Sequence, residues 1–268
     1  MTLKQTMGLG WLVMLMAGLC ACAAPSAKPE AESNAETRAQ AEAPAEPEQS
    51  KPGTVLVLEE REAGSKETFT TRLFANANYL RIADSRSPDD FILLNRAEQT
   101  IYSVNNKDRT VFVISNKEVV AKPPIEIRVE EESQPSGAIP KIDGQQATHY
   151  RYLVNGKHCY DVVTLPEDFM PEVLAAMREF RKLLAGEHAT TVDKTPPEML
   201  DACDLALNIF EPVKHMEHGL PIREWDRHGY QRFLKDYRRD VSVETAILEL
   251  PKDFERYSVG DVLVGNGK

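Results

Sequence analysis

The amino-acid sequence predicts an α+β domain built on an antiparallel β-sheet. Within residues 79–115, four short runs rich in β-branched and aromatic residues are separated by three polar turns, which is typical of a β-meander. Links this short join only antiparallel neighbours. The hydrophobic period then changes from 2 to 3.6 over residues 167–210 and returns to strands after residue 220. Strands on both sides of a helical pair indicate helices packed on one face of a sheet.

The chain begins with the features of an export signal. Lys4 precedes a 12-residue apolar run at positions 8–19, which is shorter than the roughly 20 residues that span a bilayer and fits a signal peptide. The run ends in Leu19-Cys20-Ala21-Cys22, which resembles the lipobox of bacterial lipoproteins. This resemblance implies a signal peptide at 1–21, acyl chains on Cys22 and, because Ala23 follows, an outer-membrane location. The alternative is an ordinary signal peptide that is cleaved nearby.

Residues 22–52 are predicted to form a disordered tether. Residues 23–52 include nine Ala, six Glu and five Pro, and no aliphatic residue larger than Ala. Such a segment buries too little apolar surface to offset the entropy of ordering, and its prolines disfavour a continuous helix. The globular domain is therefore predicted at 53–268.

The first half of this domain is predicted to be strands. They are expected at 54–60, 67–75, 79–83, 91–94, 100–104 and 110–115. Residues 119–131 are interrupted by two prolines and predict an edge strand or an extended segment, and 133–144 predict a loop. Several runs are apolar at consecutive positions, so both sheet faces are expected to be covered.

Two strands at 148–154 and 157–164 flank Asn155-Gly156, which predicts a type I′ hairpin. The turn should place Val154 opposite Lys157, Tyr152 opposite Cys159 and Arg151 opposite Tyr160.

Two helices are predicted to follow the hairpin. The first spans 167–184 and ends near Gly186, and its apolar face consists of Phe169, Val173, Met177, Phe180 and Leu184. The second begins at a capping box formed by Thr195 and Glu198 and ends at Pro212. Strands are then expected at 220–226, 230–237 and 246–250.

The sequence contains four cysteines. Cys20 would be lost with the signal peptide and Cys22 would carry lipid, which leaves Cys159 and Cys203. In an oxidising compartment this pair is expected to form a disulfide between the hairpin and the second helix. The alternative is two buried free thiols.

No catalytic motif, cofactor or metal site is expected. The sequence lacks GxSxG, P-loop, Rossmann and HExxH patterns. His215 and His218 flank Glu217, but two histidines make a weak metal site, and we expect them in a solvated loop. His149 and His158 are expected to be surface side chains. The net charge of −10 and the absence of a basic patch disfavour nucleic acid as a partner.

The order of elements resembles the LolA/LolB-like superfamily of periplasmic half-barrels, in a poorly characterised branch. The similarity covers residues 54–257: the meander, the Cys-bearing hairpin, the helical segment, a Gly-Leu-Pro strand start at 219 and the sequence LELPKDF at 248–254. It implies a curved antiparallel half-barrel with about two helices on its concave face and a cavity for acyl chains. The predicted cavity residues are Phe74, Leu80, Ile82, Phe91, Leu93, Tyr102 and Phe112, although these could equally be core.

These observations predict a periplasm-facing outer-membrane lipoprotein, attached to the membrane through its lipid anchor, that binds a lipid or another hydrophobic ligand without catalysis. The alternative is an envelope protein-protein interaction module with a filled core and no ligand. An enzyme is a third hypothesis, which would require a polar cleft with perturbed ionisable groups.

Overall fold

The computed structural model describes residues 50–119, 122–137, 139–192 and 194–261. The predicted signal peptide, Cys22 and the predicted tether up to residue 49 lie outside the described residues. The first strand begins at Ser50, which is opposite Glu244 of a C-terminal strand. The folded domain therefore starts three residues before the predicted boundary, because backbone pairing with a distant strand orders these residues despite their composition.

Twelve strands and two α-helices are present in the described part of the chain. The strands are β1 (Ser50–Arg61), β2 (Thr68–Ala75), β3 (Tyr79–Asp84), β4 (Phe91–Asn95), β5 (Thr100–Asn105), β6 (Thr110–Ser115), β7 (Val129–Pro135), β8 (Thr148–Val154), β9 (Lys157–Leu165), β10 (Leu220–Asp226), β11 (Gln231–Glu244) and β12 (Glu255–Tyr257). The helices are α1 (Pro171–Val192) and α2 (Ala202–Leu205). Short helical turns lie at Pro197–Met199, Ala206–Phe210, Lys214–Met216 and Thr245–Leu248.

All twelve strands belong to one open sheet in the order β12-β6-β5-β4-β3-β2-β1-β11-β10-β9-β8-β7. Every neighbouring pair is antiparallel except β12 with β6. The sheet is curved and does not close into a barrel. The predicted α+β class with a curved antiparallel sheet is confirmed at this level. The first strand lies at the centre of the sheet, between β2 and β11.

The predicted meander is confirmed as β3 to β6, with sequential antiparallel pairing. Two of its turns place a non-glycine residue in the left-handed region: Gln99 has a φ of 49° and Arg109 a φ of 53°. These left-handed residues reverse the chain within short loops, as hairpin turns require.

The Asn-Gly hairpin between β8 and β9 is also confirmed. Asn155 and Gly156 have φ values of 53° and 73°, as a type I′ turn requires. Val154 is opposite Lys157, but Tyr152 is opposite Tyr160 and Arg151 is opposite Asp161. The predicted register is therefore wrong beyond the turn. A bulge at Cys159 inserts one residue into β9 and shifts the later pairs.

Helix α1 continues past Gly186, its predicted end, to Val192. Glycine is required there by close packing, because a Cβ at Gly186 would lie 2.1 Å from the carbonyl oxygen of Lys117. The glycine therefore marks a contact between the helix and the segment after β6, and the helix does not terminate at it.

The second predicted helix starts later and is much shorter than expected. Asp201, not Thr195, caps it: the Asp201 carboxylate accepts hydrogen bonds from the backbone N–H groups of Cys203 and Asp204. After one α-helical turn the chain widens into a π-helical turn that ends at Phe210. The apolar spacing after Thr195 therefore spans three different local conformations.

Two further predictions are corrected. Residues 246–250 form no strand: the chain makes the 3-10 turn Thr245–Leu248 and then runs to the short strand β12. The predicted loop at 133–144 begins with the end of β7, which extends to Pro135 at the edge of the sheet. Residues 119–131 were predicted to form an edge strand or an extended segment. The edge position is confirmed for residues 129–131, which lie in β7.

Both faces of the meander half of the sheet are buried, as its doubly apolar strands predict. The front face, which we define as the face covered by α1, contains Leu56, Leu80 and Leu94, and α1 packs there through Val173 and Phe180. The opposite, back face has its own apolar cluster: Val55, Phe74, Phe91, Leu93, Val104 and Val111. The C-terminal segment, residues 245–257, covers the back face.

Candidate functional site

The seven predicted cavity residues divide between the two sheet faces. Leu80, Ile82 and Phe112 belong to the front-face cluster beneath α1. Phe74, Phe91, Leu93 and Tyr102 belong to the back-face cluster. Because successive side chains of a strand point to opposite faces, these residues do not line one cavity. The structure brings together the last four, under the C-terminal segment.

The C-terminal segment contacts the back face through few side chains. Leu248 is its one buried residue among those described, while Leu250 and Phe254 are half-buried and Ile247 is 37% exposed. By comparison, eleven residues of α1 are buried. Since stability varies across a structure with buried apolar contact, this segment detaches from the sheet more easily than α1.

Three interactions fasten the end of this segment to the sheet edge. Strand β12 pairs with Thr110, Val111 and Phe112 of β6. Arg109 forms an ion pair with Asp253, and its guanidinium carbon lies 5.0 Å from the centre of the Phe254 ring. The ion pair is exposed, so it adds little stability.

Arg81 is a partly buried polar side chain on the back face. It is opposite Phe74 on β2 and Leu93 on β4. Its guanidinium carbon lies 4.4 Å from the centre of the Phe91 ring. The buried Nε has no hydrogen-bond partner among the described residues, and burial lowers the pKa of Arg81. A cation among apolar neighbours without an anion is costly, which makes Arg81 a candidate anion-binding group.

A second candidate is a small pocket of about 250 Å³ beside the π-helical turn. Its lining consists of Pro123, Ile127, Val129, Phe210, Glu211 and Lys214. The volume lies below the roughly 300–1,000 Å³ typical of small-molecule sites. None of the seven predicted cavity residues lines it.

A buried ionic cluster joins β9, β10 and β11. The Glu224 carboxylate accepts hydrogen bonds from the Tyr160 hydroxyl and from Nε of Arg232, each at 2.5 Å. Burial raises the pKa of Glu224, but Arg232 and the Tyr160 hydrogen bond outweigh this effect and hold the pKa below its ordinary value. Glu224 is only 1% exposed. The charge is thus neutralised internally, as in a structural network.

His215 belongs to this cluster and not to the solvated loop that we expected. Its Nε2 lies 3.8 Å from Oε1 of Glu224, and its side chain is 5% exposed. Burial, reinforced by the positive charge of Arg181, lowers the pKa of His215 to about 3. His215 is therefore neutral at physiological pH and is separated from His218, its predicted neighbour in a metal site.

Two other histidines bind one buried carboxylate: His158 is exposed, as expected of a surface side chain, and His149 is half-buried. Nε2 of His149 lies 2.7 Å from Oδ1 of Asp161, and Nε2 of His158 lies 2.5 Å from Oδ2. Asp161 is 1% exposed, and Nε of Arg151 also donates to it. The corrected hairpin register places Arg151 directly opposite Asp161.

His218 lies in an exposed cluster with Glu131 and Glu217. The ligand atoms of these three residues lie within 4.8 Å of one another, and Nε2 of His218 is 2.8 Å from Glu131. The Lys214 ammonium already binds Glu217 at 2.6 Å. Glu217 is therefore already paired with a protein cation.

The predicted disulfide between Cys159 and Cys203 is confirmed. It joins the β9 bulge to α2, and both cysteines are buried. Nη1 of Arg227 lies 3.1 Å from Sγ of Cys203, and the Arg227 backbone N–H donates to the carbonyl of Cys159. These contacts indicate a structural disulfide.

Sequence reasoning missed Arg81 and the Glu224 cluster. For Arg81 a signal was present, because the arginine stands between Leu80 and Ile82 in a strand whose neighbours are apolar on both faces. The Glu224 cluster depends on β9, β10 and β11 being adjacent, and no local pattern reveals it. In the described part of the chain, no helix has the length and apolarity to cross a membrane.

Comparisons with known proteins identify no relative by sequence. No protein-family model matches the chain, and no curated protein matches it. Among solved structures, an uncharacterized conserved protein from Thermus thermophilus is 13% identical with a TM-score of 0.37, over 77% of this chain and 90% of that chain.

Two crystal forms of PNGF-II are similarly distant. They are 12% and 11% identical, with TM-scores of 0.39 and 0.38. The matches cover 78% and 81% of this chain, which spans about a third of PNGF-II (31% and 33%). These similarities are too weak to carry an argument about fold or function.

Proposed function

We propose that the protein is a periplasm-facing lipoprotein of the outer membrane, anchored through Cys22, that binds a hydrophobic ligand without catalysis. The domain would be a LolA/LolB-like half-barrel with helices on its concave face, held away from the bilayer by its tether. The lipobox-like sequence supports the anchor and location, and the element order and curved open sheet support the half-barrel.

One observation carries the ligand-binding part of this proposal. The back face is an apolar sheet surface covered by a short segment with one buried side chain, Leu248. Displacing that segment would uncover an apolar surface of the kind that recruits hydrophobic ligands. Ligand binding is therefore assigned to the back face. The front face is filled by α1, which places its buried side chains where a LolA-like cavity would lie.

Native mass spectrometry of the full chain, purified from cell membranes in a non-ionic detergent, tests ligand binding. We expect a stoichiometric acyl-chain compound that organic extraction releases and identifies. A chain that carries no such compound, and that also fails to bind added hexadecanol, would overturn the proposal.

The anchor has a separate test. Cells fed an alkyne-labelled fatty acid should incorporate the label into the wild-type chain and not into the Cys22→Ser variant. An unlabelled wild-type protein would contradict lipidation while leaving ligand binding to be judged on its own result.

A second candidate is the envelope interaction module, which the filled front face favours. Its partner would be an envelope protein within reach of the tether. Chemical crosslinking in cells, with the tether shortened in a matched variant, distinguishes the two: a partner captured only with the full tether, together with an empty domain, supports the interaction module.

A further inference from the structure

Three arginines lie on the back face, although the chain as a whole carries a net charge of −10. Arg238 on β11 is opposite Val55, Val55 is opposite Phe74, and Phe74 is opposite Arg81. Partners across a sheet share a face, so Arg238 and Arg81 lie in one row across four strands.

The next row adds Arg72, which is opposite Val57. The negatively charged neighbour in that row is Asp236, also opposite Val57. Within the described residues, none of the three arginines has a carboxylate oxygen within 4.0 Å of its guanidinium nitrogens. The back face therefore presents three cations whose charge the protein does not pair.

Arg81 differs from the other two because it is partly buried. Arg72 and Arg238 are exposed and can be solvated by water, whereas Nε of Arg81 is buried without a partner. A buried donor left unpaired loses the hydrogen bonds that it had in water. An anionic group brought to Arg81 would restore them, and a carboxylate matches the planar guanidinium.

Apolar surface extends from Arg81 in one direction. The row continues through Leu93 on β4, Tyr102 on β5 and Val113 on β6, and its polar atom beyond Arg81 is the Tyr102 hydroxyl, which donates to the Glu98 carboxylate. At about 4.8 Å per strand, the distance from β3 to β6 is about 14 Å, which accommodates much of an extended acyl chain. Leu248, Leu250 and Phe254 of the C-terminal segment pack against this same cluster.

We propose that the back face binds a long-chain fatty acid, with its carboxylate on Arg81 and its acyl chain across β4 to β6 in place of the C-terminal segment. This inference rests on the proposed function and specifies its ligand class. It places the ligand on the sheet face opposite α1 and not in a cavity beneath the helices. Arg72 and Arg238 attract the anion, and Arg81 holds it.

The test compares palmitate with hexadecanol, which has the same chain length and a neutral head. The full chain, purified in a non-ionic detergent, is titrated with each compound and measured by native mass spectrometry. We expect palmitate to bind at least about tenfold more tightly than hexadecanol, since a charge-assisted, partly buried pair adds binding free energy.

The Arg81→Gln variant should lose this preference and retain hexadecanol binding, which also shows that its back face is folded. The matched control is Arg128→Gln, which removes the same charge at an exposed pair with Glu130, near β7. This variant should behave as wild type.

The outcomes separate the two proposals. Equal binding of both compounds, unchanged in Arg81→Gln, would overturn the carboxylate site and leave hydrophobic-ligand binding intact. Failure of the wild-type chain to bind either compound would overturn both.

Discussion

The Arg96 guanidinium binds the Glu179 carboxylate through two parallel hydrogen bonds, from Nε to Oε2 at 2.8 Å and from Nη2 to Oε1 at 2.7 Å. Nη1 of Arg96 also donates to the carbonyl of Asn76. One side chain thus connects the β4–β5 turn, the β2–β3 turn and α1.

Replacing Arg96 with lysine should lower the free energy of unfolding by about 1–2 kcal/mol. Lysine keeps the charge but cannot form the two parallel bonds or reach both acceptors. Urea denaturation measures the change. Arg128→Lys is the control, because its exposed pair with Glu130 should contribute almost nothing. An equal effect of both substitutions would contradict the role assigned to Arg96.

Gly186→Ala should destabilise the protein by about 2 kcal/mol or more, although alanine normally favours a helix. The new methyl group would lie 2.1 Å from the Lys117 carbonyl oxygen and would separate α1 from the segment after β6. That shift would also disturb the ion pair between Lys117 and Glu187. Thermal unfolding measures the loss, and Gly137→Ala, where nothing lies within 4 Å, should be nearly neutral. A Gly186→Ala protein as stable as wild type would show that this contact can relax.

Stability should fall as the pH decreases from about 6.5 towards 3, partly because of His215. Its folded-state pKa of about 3 lies below its unfolded value near 6.5. Between these values the unfolded state therefore binds the proton and the folded state does not. Acidification therefore lowers the free energy of unfolding, by up to about 1.4 kcal/mol per pH unit from this group.

Urea denaturation at pH 7 and pH 5 measures that slope. His215→Gln should show a shallower pH dependence, whatever its absolute stability, because the group that gains a proton on unfolding is gone. His228→Gln, at an exposed turn, serves as the control. An unchanged slope in His215→Gln would assign the acid sensitivity to other groups, such as His188, whose pKa burial also lowers.

Locking the C-terminal segment should prevent binding on the back face. Thr110 and Glu255 are partners in the parallel pair of β6 and β12, which is a separation suited to a disulfide. The Thr110→Cys, Glu255→Cys protein should bind hexadecanol at least about tenfold more weakly when oxidised and recover on reduction. Reduced wild type controls for the loss of the native disulfide. Binding by the oxidised variant at the wild-type level would show that the ligand enters without displacing this segment.

Local turn chemistry explains why the sequence predicted the meander and the hairpin. Asn155 and Gly156 adopt the backbone angles that a type I′ turn requires, and this turn pairs the residues on either side of it. The predicted register was wrong beyond the turn because β9 bulges at Cys159, which is bonded to Cys203, 44 positions later, and no local pattern marks the bulge. The prediction that the helix ends near Gly186 was wrong for a related reason. The glycine is required by its contact with Lys117, which lies 69 positions earlier.

The covering of the back face could be predicted only in part. Alternation in β4, where Phe91 and Leu93 face one way and Ile92 and Leu94 the other, indicates that both faces are buried. It does not indicate what covers them. Leu248 and Leu250 were predicted to lie in a strand at 246–250, but with Phe254 they pack on the back face from a 3-10 turn and the residues after it. The position of Arg81 beside the apolar residues of the back face likewise depends on tertiary contacts.

The pairing of β1 with β11 has a consequence for the order of folding. β1 holds residues 50–61 and β11 residues 231–244, so the centre of the sheet is a contact between chain segments about as far apart as the domain allows. The strands β2 to β6 and β7 to β9 can assemble from local hairpins, but the two halves join only when β11 arrives. Such long-range closure slows folding, and until it occurs the edge of β1 is free to pair with other chains. A protein that crosses a membrane before folding would therefore expose this edge until its last strands had emerged, which makes early folding its most aggregation-prone stage.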